Sequence, residues 1–341
     1  MNHRKTSLAG SLTLLLLAVG TPVFAQGPVF TTLDSELAEL NSAIHKKGAK
    51  WTAGETSLSQ LSADDLKRRL GTSDLNIDAK PVPMGLLGTL PPALDWRDNN
   101  GSFVTAIKEQ GKCGSCWAFA MTAGLESFTL LSRHSPGWKL ALSEQILVSC
   151  DKQDDGCNGG QLNADYLVKF GLPPAAEFPY TSGTGVSGAC PYGWPRNDAY
   201  KIGSWGLVSH NLYAVKSALE KYGPLPTSFV VYEDFKHYKS GIYSYVSGKR
   251  LGGHAVLIIG YDDDGQYFIA KNSWGKDWGE DGYFRIAYSE LQSQTRFATN
   301  TIAYQGPSSE GSSSKPSKNG MGDSAVKKIS QKIGPLLDQR P

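Results

Sequence analysis

The sequence predicts an α+β chain of two lobes with a cleft between them. Two observations carry this. Over residues 116–132 apolar side chains recur at helical spacing with Gly124 as the sole glycine or proline, and 142–148 and 162–170 read as two further helices. After Tyr200 the pattern becomes strand-like: residues 254–259 are β-rich, Asp263-Asp264-Gly265 is a turn signal, and 266–271 run back. A helical half is thus followed by a β half.

The first 25 residues read as a secretion signal. His3, Arg4 and Lys5 form a positive start, residues 8–19 are mostly apolar, and Val23-Phe24-Ala25 places small residues where a signal peptidase reads. A membrane anchor is the competing reading, but the run falls short of the ~20 apolar residues a span requires. No later stretch is apolar enough to span, so the expectation is a secreted protein, in which disulfides are chemically reasonable.

Residues 26–89 differ in composition from the rest of the chain. Leu33, Leu37, Leu40 and Ile44 recur at helical spacing, with Asp34 as the expected cap and Gly48 as the expected end. Residues 62–71 read as a second, short capped helix. Pro81, Pro83, Pro91 and Pro92, with Gly85 and Gly88, mark an extended linker. Residues 90–305 are denser in aromatics, glycine and cysteine and form the predicted domain, with a helical lobe to about 200 and a β lobe from 201. From 306 the chain becomes a Ser-rich tail. Val326, Ile329 and Ile333 among lysines leave a membrane-surface helix as an alternative to a disordered tail, but Gly334-Pro335 ends the pattern early.

Net charge is +2, and the tail from Pro307 alone contributes +3. The body is therefore close to neutral, which argues against a polyanion partner, and no basic stripe with interleaved aromatics suggests nucleic acid.

The chemistry starts from an odd cysteine. Of five, Cys113, Cys150, Cys157 and Cys190 suffice for two disulfides, leaving a thiol that needs an explanation. Cys116, before Trp117 and at the start of the predicted helix, is the candidate nucleophile; a helix N-terminus stabilises a thiolate. His254 lies ten residues before Asp264 and Asn272 eight after it, so an antiparallel hairpin returns them side by side. An imidazole takes the thiol proton, and a neutral amide fixes the ring without competing for its charge. Gln110, six residues upstream of Cys116, is a candidate N–H donor to an oxyanion, together with the Cys116 backbone N–H. Taken alone, Cys113-Gly-Ser-Cys116 also fits a redox pair or half a zinc site. A redox motif of that kind belongs in a βαβ context, and zinc needs further ligands at short spacing; the sequence offers neither. No metal and no cofactor is expected.

These blocks together resemble the papain family of cysteine peptidases. The match comprises Gln110-Gly-Lys-Cys-Gly-Ser-Cys116-Trp-Ala-Phe, Leu142-Ser-Glu-Gln145, Gly156-Cys-Asn-Gly-Gly160, Gly253-His-Ala-Val256, Gly260-Tyr261, Lys271-Asn-Ser-Trp-Gly275 and Trp278-Gly-Glu-Asp-Gly-Tyr283. The family's signature around the cysteine, with its histidine and asparagine well downstream, is an established pattern and not one deduced from this chain. The resemblance implies the papain-like two-lobe fold, with a β-barrel-like second lobe. It implies Cys116 as nucleophile, His254 as general acid/base, Asn272 as its orienter, Gln110 as oxyanion donor and Trp274 as a shield over the Asn272–His254 bond. It also implies disulfides Cys113–Cys157 and Cys150–Cys190, and backbone groups at Gly159 and Gly160 for an extended substrate. The pocket for the second residue on the acyl side of the cut is placed at Leu162, Ser228 and Ala255, with apolar side chains expected in it by ~1–3 kcal/mol over charged ones.

Trp51-Thr-Ala-Gly54 and Leu66-Lys-Arg-Arg-Leu-Gly71 resemble a cathepsin B-type propeptide, which implies that 26–89 inhibits its own enzyme. Cathepsin B owes its carboxydipeptidase action to a loop with paired histidines, and residues 160–200 hold no insertion and no histidine. The expectation is a monomeric endopeptidase acting on peptides or proteins. A non-catalytic peptide-binding relative is the alternative, against which the intact set Cys116, His254, Asn272 and Gln110 argues; a thiol–disulfide oxidoreductase is the third.

Overall fold

A computed structural model of the chain describes Met1 and residues 32–72, 77–84, 88–195 and 199–306. The signal at 1–25 (beyond Met1) and the tail from Pro307 lie outside the described residues.

Helix α1 (Leu33–Lys47) is capped by Thr32, whose Oγ1 accepts from Ser35 N–H at 3.3 Å, and ends at left-handed Gly48. Asp34, the expected cap, sits one position inside the helix, where its charge still suits the positive end of the dipole. Strand β1 (Lys50–Ala53) follows, then α2 (Ala63–Lys67), capped by Ser62 as its sequence predicts. Strand β2 (Ala93–Asp95) opens the main body.

Helix α3 (Cys116–Ser132) has the predicted bounds and is buried along nearly its whole length, as a central helix between two lobes must be. Helix α4 (Glu144–Cys150) is capped by Ser143. Helix α5 covers only Asp165–Lys169, shorter than the 162–170 expected, because Asn163 Oδ1 accepts from Asp165 N–H at 2.9 Å and holds the preceding turn out of the helix.

Beyond 200 come β3 (Ser204–Leu207), α6 (Leu212–Tyr222), β4 (Leu225–Tyr232), β5 (Tyr238–Tyr243), β6 (Arg250–Asp262), β7 (Tyr267–Lys271), β8 (Tyr283–Ala287) and β9 (Ile302–Gln305). The strand-like reading of this half overlooked α6. Its signals were present: Asn211 caps it, Val215, Ala218 and Leu219 face inward, and Gly223 ends it.

The main sheet runs β1-β5-β8-β7-β6-β2, with β4 also paired to β6. The leading segment therefore adds an edge strand to the body: β1 pairs antiparallel with β5, and Trp51 buries its ring against Tyr238 and Tyr243. One apolar core lies behind this sheet and a second among α3, α4 and α5. The lobes do not divide cleanly at 200. Leu94 and Trp96 belong to the sheet's core, whereas β9 pairs with β3, and Ile302 and Tyr304 enter the helical core. Each end of the 90–305 domain crosses to the other lobe, as a strap would.

Below the cleft a buried ionic cluster also ties the lobes. Lys108 Nζ contacts Glu126 at 2.8 Å and Glu144 at 2.5 Å; Glu126 also accepts from the Thr105 hydroxyl and from Leu142 N–H. Lys271, on β7, donates to Thr105 at 3.0 Å, and burial pushes its pKa down to about 8.

Disulfides join Cys113 to Cys157 and Cys150 to Cys190. The first closes a loop around the segment carrying Cys116. Cys113→Ser is expected to lower unfolding stability by ~2–5 kcal/mol, read from denaturant midpoints under non-reducing conditions. A loss under about 1 kcal/mol would mean that the bridge constrains the chain little.

Candidate active site

Cys116 is the first residue of α3 and is fully buried. The residue before it, Ser115, gives its hydroxyl to Tyr180 at 2.8 Å rather than to the helix end, so the helix's first N–H groups stay available near the sulfur. Tyr180 in turn donates to the Gln110 carbonyl at 2.8 Å.

His254 lies on β6, opposite Phe229 of β4. The β6–β7 ladder ends at Leu257–Lys271, after an irregularity at Ile258–Gly260, so Asn272 stands just beyond the ladder. Its side chain still reaches the imidazole: Oδ1 is 2.8 Å from His254 Nε2 and also accepts from Ser273 N–H. An amide oxygen cannot donate, so Nε2 carries the hydrogen and Nδ1 keeps its lone pair. That Nδ1 is buried without a hydrogen-bond partner. Trp274 stacks on the ring, with centroids 4.4 Å apart and planes 25° apart, and Phe229 meets it edge-on from 5.9 Å. The imidazole is thereby fixed in one orientation.

Gln110 is held as firmly. Its N–H donates to the Ser273 carbonyl, and its Oε1 accepts from Ser273 Oγ at 2.7 Å. That second bond turns Nε2 the other way, where it donates to the Arg69 carbonyl at 2.8 Å and to the Cys113 carbonyl at 2.7 Å.

The leading segment thus occupies the cleft. Gly71 N–H donates to Cys116 Sγ at 3.3 Å, Gly160 N–H donates to the Gly71 carbonyl at 2.7 Å, and Thr72 N–H donates to the Gly253 carbonyl at 3.2 Å. Thr72 bridges Gly160 in the parallel sense and Gly253 in the antiparallel. The approach is too close for any residue but glycine: a Cβ on Gly71 would stand 1.7 Å from the Gly114 carbonyl oxygen, and one on Gly160 would stand 2.6 Å from the Trp117 ring. Outside the cleft, Arg69 pairs with Glu109 at 2.9 Å.

Covering the site changes its protonation. The sequence points to a thiol kept ionised well below neutrality. With the segment in place, burial pushes the Cys116 thiol up to about 11, against N–H groups of Ala255, Gly71 and Trp117 that favour the thiolate. Burial likewise pushes His254 down to about 4, although the Asn272 bond favours its cation. Between these values both groups are neutral while the segment is in place.

The other sequence-predicted residues divide. Gly160 meets the segment's backbone, and Gly159 packs on Gly71, where a Cβ would come within 2.9 Å of its carbonyl oxygen. Ser228 lines a recess beside Thr72 with Thr299 and Asn300; Leu162 and Ala255 are buried and do not line that recess. Ala255 faces a second cavity, which Lys108, Glu144 and Lys271 also line. Sequence reasoning missed Ser273, Tyr180 and Phe229 as positioning groups. Ser273 stands inside the motif at 271–275, but its partner Gln110 is 163 residues away. Gln145 of the motif at 142–145 proves structural: its amide binds Thr181, Ser182, Ser149 and Ser187 and pins the loop after Tyr180. Among the described residues no cluster of His, Cys, Asp and Glu is arranged to hold a metal ion, and no helix is long and apolar enough to cross a membrane.

The chain is similar to known proteins. The family model of the papain family cysteine proteases matches residues 90–304. A cathepsin B-like protein, CP3, of Giardia intestinalis is 38% identical over 267 residues, which span 73% of this chain and 88% of that relative. Ananain of Ananas comosus is 31% identical over 274 residues, 76% of this chain and 75% of the relative. Among solved structures, a digestive procathepsin L2 proteinase from the Tenebrio molitor larval midgut gives a TM-score of 0.68 at 28% identity, covering 79% of this chain and 88% of the other. The proCathepsin B S9 of Trypanosoma congolense gives 0.69 at 24% identity, covering 83% and 99%.

Proposed function

The chain belongs to the papain family of cysteine proteases and is a cysteine endopeptidase with the architecture of a zymogen; from that premise we propose that Cys116 is its nucleophile, His254 its acid/base, Asn272 the orienter and Gln110 the oxyanion donor. The observation that carries this reading is the meeting of Cys116 Sγ, Gln110 Nε2 and Gly160 N–H on three successive peptide groups of one segment, residues 69–72.

In the uncovered site the thiol proton passes to His254 Nδ1, whose lone pair the Nε2–Asn272 bond has set aside. The thiolate attacks the scissile carbonyl carbon; a C–S bond forms, and the oxyanion takes the Gln110 and Cys116 N–H groups. The imidazolium returns its proton to the leaving amine as the C–N bond breaks. Water then attacks the thioester while His254 takes its proton, and the acid product leaves with the thiol restored.

Residues 26–89 act as the inhibitor of this chemistry in two ways. They fill the cleft with a strand that meets the sulfur with an N–H, and they remove the water that the ion pair needs. Acid is expected to loosen them. Among the carboxylates of this segment, Glu36 reaches the body: His237 Nε2 is 2.9 Å away and Lys236 Nζ 3.3 Å. Among the described residues Asp64 and Asp65 form ion pairs with Lys67 and Arg68 beside them and with no residue of the body. Burial favours the neutral form of Glu36, but the bonds from His237 and Lys236 prevail and hold it below the usual range. Burial pulls His237 down too, against the Glu36 bond. Both docked values are depressed, so docking is strongest above the free values of ~6.5 for His and ~4.3 for Glu. It weakens as pH falls through that window, because the released groups bind protons more readily. Inhibition by added 26–89 peptide, compared at about pH 7 and about pH 4.5, checks this; equal inhibition would contradict it. Export from the cell, guided by the first 25 residues, and action as a monomer complete the proposal.

The test of the activity uses chain freed of residues 26–89 by limited proteolysis. It is expected to cleave fluorogenic peptides and to lose that activity as an epoxysuccinyl inactivator labels Cys116 one to one. Cleavage that survives complete labelling would overturn the assignment.

A further inference from the structure

The recess beside Thr72 carries a cationic side chain beside the apolar surface expected there. Its walls include Ser228, Phe229 and Val230 of β4, Gly253 of β6 and three residues of one loop, Arg296, Thr299 and Asn300. Ser228 Oγ donates to the Thr299 carbonyl at 2.8 Å, which ties the β4 wall to that loop. Arg296 is the sole ionisable residue lining the recess; it is exposed and forms no ion pair among the described residues.

The loop is held in an uncommon shape. Arg296, Ala298 and Asn300 all have left-handed backbones, at φ 47°, 66° and 53°, though none is glycine. Left-handed non-glycine residues are sparsely populated and persist where surrounding bonds impose them. Here Val230 N–H donates to the Thr295 carbonyl at 2.7 Å, Ser228 N–H to the Thr299 carbonyl at 3.0 Å and Phe297 N–H to the Glu290 carbonyl at 2.9 Å. The fold thus presents Arg296 from a pinned backbone at the recess.

The present occupant fits poorly. The Thr72 hydroxyl is buried without a partner, while its N–H holds the Gly253 carbonyl. Once the segment leaves, Gly160 N–H and the Gly253 carbonyl are open to the backbone of an extended substrate, and the side chain between them enters the recess. We propose that Arg296 makes this a carboxylate-selecting subsite, so that the enzyme prefers Glu or Asp as the second residue on the acyl side of the cut. A guanidinium binds a carboxylate with two parallel N–H bonds, which an amide or an aliphatic side chain cannot match.

This inference rests on the peptidase reading above, and the test separates the two. The processed enzyme is counted by titration with the epoxysuccinyl inactivator, then assayed on peptides identical except for Glu, Gln, Leu or Lys at that residue. For the wild type, kcat/KM for Glu over Gln is expected to be about tenfold. Arg296→Gln should bring the ratio to about one, Arg296→Lys should keep part of it, and Arg296→Glu should shift the preference to Lys. A ratio near one in the wild type, or one unchanged in Arg296→Gln that titrates fully, overturns the subsite while leaving the peptidase standing. An enzyme that neither titrates nor cleaves removes both.

Discussion

Cys116→Ala is expected to abolish peptide hydrolysis, by at least about a thousandfold in kcat/KM, while leaving the fold intact. Nothing else at the site supplies a nucleophile: among the described residues Cys116 is the one cysteine outside a disulfide, and the neighbouring hydroxyl of Ser115 is bonded to Tyr180. The loss is chemical because the side chain contributes little to packing that an Ala methyl does not replace. Cys116 sits at the end of a helix whose burial rests on Trp117, Met121, Leu125 and Leu130. The variant should therefore unfold within a few degrees of wild type and still bind the 26–89 peptide. If it retained a tenth of wild-type turnover, the mechanism would be wrong.

Gly71→Val should weaken inhibition by the 26–89 peptide about a hundredfold. The added Cβ overlaps the Gly114 carbonyl oxygen at 1.7 Å, and backbone cannot swing aside as a flexible side chain would. Overpacking of this sort costs ~1–3 kcal/mol, and withdrawal of the strand also loses the Gly71 bonds to Cys116 and Gly160. The effect is steric rather than conformational, since Gly71 does not have a left-handed backbone. Arg68→Ala is the control: its side chain is 68% exposed and should matter little. Equal inhibition by the Gly71→Val peptide and the natural one, in the same assay, would show that the strand does not thread past Gly114.

Much of this was legible in the sequence because it is local. The bounds of α3, the cap Ser62 and the hairpin carrying His254 follow from spacing and turn residues close together in the chain. The crossing of the domain's two ends between lobes was not legible, since β2 and β9 are three and four residues long and carry no partner information. Nor was the Lys108–Glu126–Glu144 cluster, whose members are charged residues that composition assigns to the surface until a fold pairs them. The covering of the thiol was not legible either. Helix N-terminus and imidazole both argue for a thiolate in the open site, and burial under residues 69–72 outweighs them while the segment is in place. Burial by a segment 45 residues upstream is a tertiary fact.

The pH dependence of Cys116 alkylation, measured by mass spectrometry on the intact zymogen and on chain freed of residues 26–89, tests the central claim most directly. In the zymogen the thiol should react slowly, with a rate that keeps rising toward pH 11. Once uncovered, Cys116 should react with a rate that has already levelled off below neutrality, as the thiolate–imidazolium pair forms. Identical profiles in the two states would contradict the account, because they would show that the segment neither covers nor neutralises the nucleophile.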